Sequence, residues 1–115
     1  MFGSCGGGRD RARRPILGKM SSEISDTMII TNEDPYDDDP MEIINEVATG
    51  VPADKQDRVI KILDRKQAIK KALELAQPND LVIITGKGAE QFMCVANGQK
   101  IKWDDREVAR ELLKK

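Results

Sequence analysis

The segment Thr27-Met28-Ile29-Ile30-Thr31-Asn32-Glu33-Asp34-Pro35-Tyr36 joins a short apolar run to a charged loop. A continuous apolar run of this length is typical of a strand that is buried on both faces of a parallel sheet. A helix start follows, because Asp39 is a suitable N-cap and Pro40 a suitable first helical residue. Strand, loop and helix in this order predict an α/β fold.

The same order recurs on both sides of this segment. Residues 59–63 are predicted as a short strand or extended segment, and residues 81–85 as a second central strand. Further helices are predicted from Pro15, Asp64 and Asp104, the first with an inward face of Ile16, Leu17, Met20 and Ile24. Asn97-Gly98 predicts a hairpin turn. The fold class is therefore α/β: a Rossmann-like, mostly parallel sheet with helices on both faces and an antiparallel edge hairpin.

Three loops follow apolar runs: the first loop (5–11, Cys5-Gly6-Gly7-Gly8-Arg9-Asp10-Arg11), the second loop (31–36) and the third loop (86–90, Gly86-Lys87-Gly88-Ala89-Glu90). In a parallel sheet such loops emerge at one edge, where open α/β sheets bind ligands. They are predicted to form one charged site. Each loop alone also has a purely structural interpretation, namely a linker, carboxylates at a helix start, and a tight turn.

The composition excludes several functions. The net charge is −1, whereas nucleic-acid and anionic-membrane binders carry a basic excess. The absence of histidine excludes Ser-His-Asp and Cys-His catalysis and His-ligated metals. The acidic run 33–39 lacks the glycine of a calcium loop, so no metal site is expected. With no transmembrane run, no signal peptide and two isolated cysteines, we expect a cytoplasmic protein without nucleic-acid partners or membrane insertion.

The chain of 115 residues has the length of one domain or part of one. Residues 1–14 form a segment rich in glycine and arginine. Two interpretations of its start stay open: the end of a strand over 1–4, or a disordered terminal tail.

Taken in order, the motifs resemble one family. They are Gly6-Gly7-Gly8-Arg9-Asp10-Arg11 with Arg14-Pro15, Thr31-Asn32-Glu33-Asp34-Pro35, Asp64-Arg65, Gly86-Lys87-Gly88-Ala89-Glu90 and Asp104-Asp105-Arg106-Glu107. The ordered set resembles the C-terminal domain of the Mur ligases, most closely the UDP-N-acetylmuramoyl-tripeptide synthetases. The resemblance implies an amino-acid-binding domain over 1–115 that lacks the family's first strand and helix.

The resemblance also implies a reaction and its partners. ATP phosphorylates the carboxylate of a UDP-muramoyl dipeptide, and the amine of a diamino acid attacks the acyl phosphate. The P-loop and magnesium sites belong to a central ATPase domain, which would be supplied in cis or in trans. ATP and Mg²⁺ are therefore implied for the full-length enzyme, whereas this chain alone is expected to bind neither and to carry no catalytic residue.

Binding residues carry over by motif. Arg9 matches the arginine that contacts the amino-acid substrate. Gly86 and Glu90 match the glycine and glutamate that bind its amino-acid end, and Ala89 stands in place of a histidine.

The second loop departs from the family. Glu33-Asp34-Pro35-Tyr36 occupies the Asp-Asn-Pro-Arg motif, whose arginine grips the distal carboxylate of diaminopimelate. Tyr36 cannot supply that charge and Asp34 adds a negative one, so a lysine- or ornithine-like substrate is expected. Two other interpretations remain: the C-terminal domain of another Mur-type ligase or folylpolyglutamate synthetase, and a non-catalytic α/β ligand-binding module.

Overall fold

The computed structural model describes residues 1–8, 11–87 and 90–114. These ranges form an α/β structure whose elements follow nearly the predicted order. They are α1 Arg13–Ile24, β1 Met28–Ile30, α2 Pro40–Ala48, a 3₁₀ helix Ala53–Arg58, β2 Val59–Lys61, α3 Arg65–Leu75, β3 Phe92–Cys94, β4 Lys100–Lys102 and α4 Asp105–Leu113. No helix within these ranges is both long and apolar enough to cross a bilayer.

The predicted helix starts at Asp39, Asp64 and Asp104 are confirmed. Each aspartate lies just before the first turn, and its carboxylate accepts a hydrogen bond of 2.9 Å from the backbone N–H two residues further on. Such caps satisfy N–H groups that have no partner inside the helix. The first helix begins at Arg13, so Pro15 lies within its first turn instead of starting it.

Strand β1 lies at the centre of the parallel sheet. It pairs in parallel with β2, with Ile29 opposite Ile60. On its other side, the Phe2 N–H donates to the Ile29 carbonyl at 3.0 Å and the Thr31 N–H donates to the Phe2 carbonyl at 2.9 Å. The second loop therefore begins at the carboxyl end of a strand that is flanked on both sides.

The prediction of a regular central strand over 81–85 is wrong. This segment is extended, but its described hydrogen bonds to the sheet both involve Met1. The Met1 ammonium donates to the Ile83 carbonyl at 2.8 Å, and the Met1 carbonyl accepts from the Thr85 N–H at 3.0 Å. Two bonds to a single residue do not make a ladder of successive pairs, and Leu81 and Ile83 are accordingly 82% and 55% exposed.

Helices cover both faces of β1, as predicted. Ile30 packs with Ile44, Val47 and Ala48 of α2, whereas the adjacent Ile29 packs with Ala68 and Ala72 of α3. Successive side chains of a strand point to opposite faces, so two neighbouring isoleucines serve two separate core clusters. Full burial of one such side chain contributes about 1.5–3 kcal/mol.

The predicted inward face of α1 is wrong. Three of its four large apolar side chains, Ile16, Met20 and Ile24, are more than half exposed, and Leu17 is half-buried. The buried residues of this helix are instead Arg14, Gly18 and Ser22. The cause is a close crossing of backbones, because a Cβ on Gly18 would lie 2.0 Å from the Val47 carbonyl oxygen in α2. The close approach of α1 to α2 thus requires small residues at the contact. This requirement, and not the spacing of the apolar residues, decides which side of α1 faces inward.

The antiparallel hairpin is confirmed. β3 pairs with β4, and the turn residues Asn97 and Gly98 have φ values of +64° and +68°, as a type I′ turn requires. Tyr36 N–H donates to the Cys94 carbonyl at 3.2 Å, which fixes the hairpin beside the second loop.

A buried ion pair attaches α4 to the rest of the fold. Arg65 at the start of α3 donates to both carboxylate oxygens of Asp105 at 2.8 Å, and the Trp103 indole N–H donates to the same carboxylate at 2.7 Å. Arg65 also donates to the carbonyls of Asn32 and Thr85, each at 3.0 Å. One guanidinium therefore connects α4 to the points where the second and third loops begin.

Candidate functional site

The first loop lies directly on the second. The Gly6 N–H donates to the Asp34 carbonyl at 3.0 Å. A Cβ at Gly6 would lie 2.1 Å from the Pro35 carbonyl oxygen, and one at Gly7 would lie 2.7 Å from the Tyr36 ring. Side chains do not fit at such distances, so this contact requires glycine at both positions. The glycine run is therefore a packing element of the site, and a linker interpretation does not account for it.

The backbone of the second loop is strained. Asp34 and Tyr36 have φ values of +31° and +52°, in a region that costs non-glycine residues about 1–3 kcal/mol each. The hairpin enforces this conformation, since the Cys94 N–H donates to Asp34 Oδ1 at 2.8 Å while the Cys94 carbonyl binds Tyr36. Strain enforced by surrounding contacts concentrates at binding sites, and it marks this loop as a functional candidate.

Lys87 of the third loop lies at the centre of the site. Its buried ammonium donates to both carboxylate oxygens of Asp34, at 2.8 and 2.9 Å, and to Glu90 Oε2 at 2.8 Å. Burial alone would lower the pKa of Lys87, but the hydrogen bonds to Asp34 and Glu90 outweigh it and raise the pKa above its ordinary value. The lysine is therefore a permanent cation that joins the second and third loops.

Glu33 connects the second loop to both others. Its carboxylate accepts a hydrogen bond from Cys5 Sγ at 3.6 Å, and a Cβ on Gly86 would lie 2.8 Å from Glu33 Oε2. The Glu33 side chain is buried, and burial raises its pKa above the ordinary value although the Arg65 guanidinium opposes this shift. The prediction that the three loops meet at the carboxyl edge of the sheet is thus confirmed.

Arg14 fastens the first loop to α2. It donates to Glu46 Oε2 at 2.5 Å, to Asp38 Oδ2 at 3.3 Å and to the Cys5 carbonyl at 3.3 Å. Its side chain is 2% exposed. Asp38 binds Arg14 and Asp39 caps α2, so these two residues of the acidic run 33–39 have structural roles. Neither here nor elsewhere in the described ranges are acidic or cysteine side chains grouped to hold a metal ion.

Two cavities lie at different edges of the sheet. One of about 210 Å³ adjoins the loops and is lined by Gly8, Arg11, Arg14, Asp38, Asp39 and Glu42. A larger one of about 370 Å³ lies at the amino ends of the strands, with Ile24, Leu75 and Leu81 among its lining residues. The cavity at the amino ends is the larger of the two, but backbone strain and converging charged side chains occur at the loops. We therefore take the loop edge as the candidate site.

Comparison with known proteins identifies the family. Residues 1–88 match the family described as "Mur ligase, glutamate ligase domain". The chain belongs to the Mur ligase family. The resemblance inferred from the ordered motifs is confirmed.

The chain is similar to part of several longer ligases. It is 42% identical over 114 residues to the UDP-N-acetylmuramoyl-L-alanyl-D-glutamate--2,6-diaminopimelate ligase of Syntrophomonas wolfei subsp. wolfei, covering 99% of this chain and 23% of the relative. A Clostridium botulinum ligase of the same name is 43% identical over 110 residues, covering 96% and 22%.

A solved structure of a protein with that name superposes with a TM-score of 0.87 at 32% identity, over 98% of this chain and 23% of that chain. The predicted α/β class is therefore confirmed as a Mur ligase fold. The chain spans less than a quarter of the length of the relatives that it matches.

The structure distributes the motif residues of this Mur ligase domain unevenly. Glu33, Asp34 and Pro35 are buried, Tyr36 is half-buried, and Gly86 and Glu90 are exposed. Arg9 and Ala89 lie outside the described residues. Gly86 and Glu90 are thus the motif positions most open to a ligand, with Tyr36 at the border.

Two central residues were not predicted from the sequence as site residues. Lys87 stands three residues before Glu90, a spacing that can signal an ion pair, but its link to Asp34 has no local signal. Arg14 stands beside Pro15, where no local pattern marks it as a buried side chain. Both act through contacts between distant segments, with Asp34 lying 53 positions from Lys87, and such pairs are not visible in local patterns.

Proposed function

We propose that this chain is the amino-acid-binding domain of an ATP-dependent ligase that adds a diamino acid to UDP-N-acetylmuramoyl-L-Ala-D-Glu in peptidoglycan synthesis. The observation that carries the proposal is the meeting of the three loops at one edge of the sheet, where Lys87 joins the second and third loops and the Glu90 carboxylate beside it is 62% exposed. An exposed carboxylate on a fixed loop suits the ammonium group of an amino acid. The names of the relatives support the ligase assignment.

The proposed roles follow the exposure of the motif residues. Glu90 and Gly86 receive the amino-acid end of the substrate, and Arg9, assigned from its motif alone, contacts the amino-acid substrate. Glu33 and Asp34 act as buried walls of the site, since their carboxylates are bonded to Cys5, Cys94 and Lys87. Pro35 carries the carbonyl against which the first loop packs.

The substrate side chain is proposed to be lysine- or ornithine-like. Tyr36 stands where the family motif has an arginine, so this position offers no cation to a distal carboxylate. Asp34 and Glu90 both accept bonds from Lys87, and Glu33 is a further carboxylate of the second loop. Three carboxylates against one ammonium give a charge balance that favours a ligand with a net positive charge. The relatives are named as 2,6-diaminopimelate ligases, so the substrate proposed for this chain differs from the one in their names.

The proposal assigns the remaining chemistry to other parts of the ligase. ATP and Mg²⁺ are placed on an ATPase domain supplied in cis or in trans, and the UDP-muramoyl dipeptide is proposed as the second substrate. Among the described residues no acidic or cysteine side chains are grouped to hold a metal ion. A cytoplasmic location is proposed because the reaction consumes ATP and because neither cysteine forms a disulfide.

Isothermal titration of the chain with L-lysine, L-ornithine and meso-diaminopimelate tests the proposal. We expect saturable binding of at least one diamino acid, and a loss of roughly tenfold in affinity for Glu90→Gln, because a charge-assisted bond to the ammonium becomes neutral. Glu74→Gln is the matched control, since Glu74 is an exposed carboxylate on α3.

Two outcomes count against the proposal. One is the absence of binding for all three diamino acids at millimolar concentration. The other is an affinity of Glu90→Gln equal to that of Glu74→Gln, which would place the ligand elsewhere.

A further inference from the structure

Lys87 has no freedom to bind a ligand directly. Its side chain has zero exposure, and an ammonium group has three donors. All three are used, two by Asp34 and one by Glu90. A turn of the ammonium towards a ligand would break a bond to a buried carboxylate, so Lys87 acts on a ligand through charge and through the position of its partners.

Asp34 is equally committed inside the site. It receives two bonds from Lys87 and a third from the Cys94 N–H, and its side chain is 11% exposed. Glu90 differs, because it gives one oxygen to Lys87 and remains 62% exposed. Two carboxylates thus share one ammonium, and the three groups together carry a net charge of −1, with the exposed part of that charge on Glu90.

We infer that Asp34, by neutralising the buried Lys87 ammonium, sets the preference of the site for lysine-like over diaminopimelate-like ligands. Asp34 cancels the charge of Lys87, so Lys87 does not oppose the attraction between Glu90 and a cationic ligand. With a neutral residue at 34, the net charge of the three groups rises from −1 to 0 and Lys87 attracts carboxylates. This inference rests on the proposed function and assigns selectivity to a pair that the ligand does not need to touch.

Ligand chemistry makes the pair testable. At neutral pH L-lysine carries a net charge of about +1, whereas meso-diaminopimelate carries about 0 because its second carboxylate offsets its second ammonium. A change in the charge of the site therefore alters the ratio of the two affinities. A loss of packing alone would weaken both ligands together.

The experiment measures the two dissociation constants for the full chain and three variants. Asp34→Asn keeps the shape and the acceptor for Cys94, and we expect the lysine-to-diaminopimelate preference to fall roughly tenfold, as for one unit charge in a partly buried site. Asp34→Asn/Lys87→Met restores the net charge to −1 and should restore the ratio to within about twofold. Asp54→Asn, on the 3₁₀ helix before the amino end of β2, is the charge-matched control and should leave the ratio unchanged.

The outcomes separate the inference from the proposed function. If the wild-type chain binds neither ligand, both fail. If it binds and Asp34→Asn keeps the wild-type ratio, or the double variant keeps the ratio of Asp34→Asn, the inference alone fails. If Asp34→Asn does not fold, Lys87→Met alone lowers the net charge of the three groups from −1 to −2 and should raise the lysine-to-diaminopimelate preference, and an unchanged ratio then overturns the inference.

Discussion

Replacing Asp105 with alanine tests how the scaffold holds the loops in place. The change leaves the Arg65 guanidinium, whose side chain is 1% exposed, without its counter-ion. It also removes the acceptor of the Trp103 indole N–H, which lies 2.7 Å from the carboxylate. The bonds from Arg65 to the carbonyls of Asn32 and Thr85 remain but cannot neutralise the buried charge.

The expected loss is about 3–5 kcal/mol in the free energy of unfolding, the range for removing one partner of a buried ion pair. Two charge-assisted hydrogen bonds of 2.8 Å independently lead to a similar total at about 1.5–3 kcal/mol each. Domains of this size have total stabilities of about 5–15 kcal/mol. Asp105→Ala should therefore remove a large fraction of the stability of this chain.

Urea unfolding followed by far-ultraviolet circular dichroism measures this loss. We expect the midpoint to fall by roughly 2 M. Glu107→Ala on the same first turn of α4 is the control and should cost no more than about 0.5 kcal/mol through the helix dipole. A loss below about 1 kcal/mol for Asp105→Ala, or a loss equal to that of Glu107→Ala, would refute the claim that this ion pair anchors α4.

Three further changes have clear expected outcomes. Gly6→Ala places a Cβ 2.1 Å from a carbonyl oxygen of the second loop and should cost about 2–3 kcal/mol in urea unfolding; Gly8→Ala, which meets no atom within 4 Å, should cost about 1 kcal/mol. Glu33→Gln should raise the melting temperature at pH 7, because the raised pKa of Glu33 means that the folded state binds this proton more tightly than the unfolded state does. The wild-type protein therefore loses stability as the pH rises above about 4.5, and glutamine, which cannot ionise, avoids that loss. The gain should vanish below about pH 4.5, and a gain that persists there would contradict the direction of the pKa shift. Ile44→Ala should cost about 2–5 kcal/mol, whereas Ile24→Ala should change stability by less than about 0.5 kcal/mol, and equal effects would show that the burial pattern of α1 is wrong.

Local signals predicted most of the fold. The starts of α2, α3 and α4 each depend on an aspartate that caps the adjacent turn, and the hairpin depends on Asn97 and Gly98 adopting positive φ. These interactions span two or three residues, so the sequence contains them completely. The two-sided burial of β1 also follows from a single apolar run.

The features that the sequence did not predict depend on distant segments. The inward side of α1 is decided by the close approach of Gly18 to Val47, and an apolar period contains no information about that crossing. The segment 81–85 has a strand-like composition, but its pairing depends on which residues lie beside it, and Met1 alone supplies its described main-chain bonds to the sheet. Composition gives the tendency of a segment, whereas its neighbours decide the outcome.

The candidate site shows the same division. The order of the motifs was sufficient to identify the family, and the order of strands and helices was sufficient to predict that the three loops lie at one edge of the sheet. It did not predict that Asp34 is occupied by Lys87, a contact across 53 positions that removes Asp34 from the surface. The source of the expected ammonium preference therefore moves from Asp34 itself to the exposed Glu90 and the charge balance around it.

The central claim is that the three loops form an amino-acid-binding site. Two-dimensional ¹H–¹⁵N spectra of the uniformly labelled chain, recorded during titration with L-lysine, test this most directly. We expect saturable shifts of the backbone signals of Gly86, Glu90 and Tyr36, with little change at the opposite edge around Leu75 and Leu81. Shifts confined to that opposite edge, or no shifts with L-lysine, L-ornithine or meso-diaminopimelate, would contradict it.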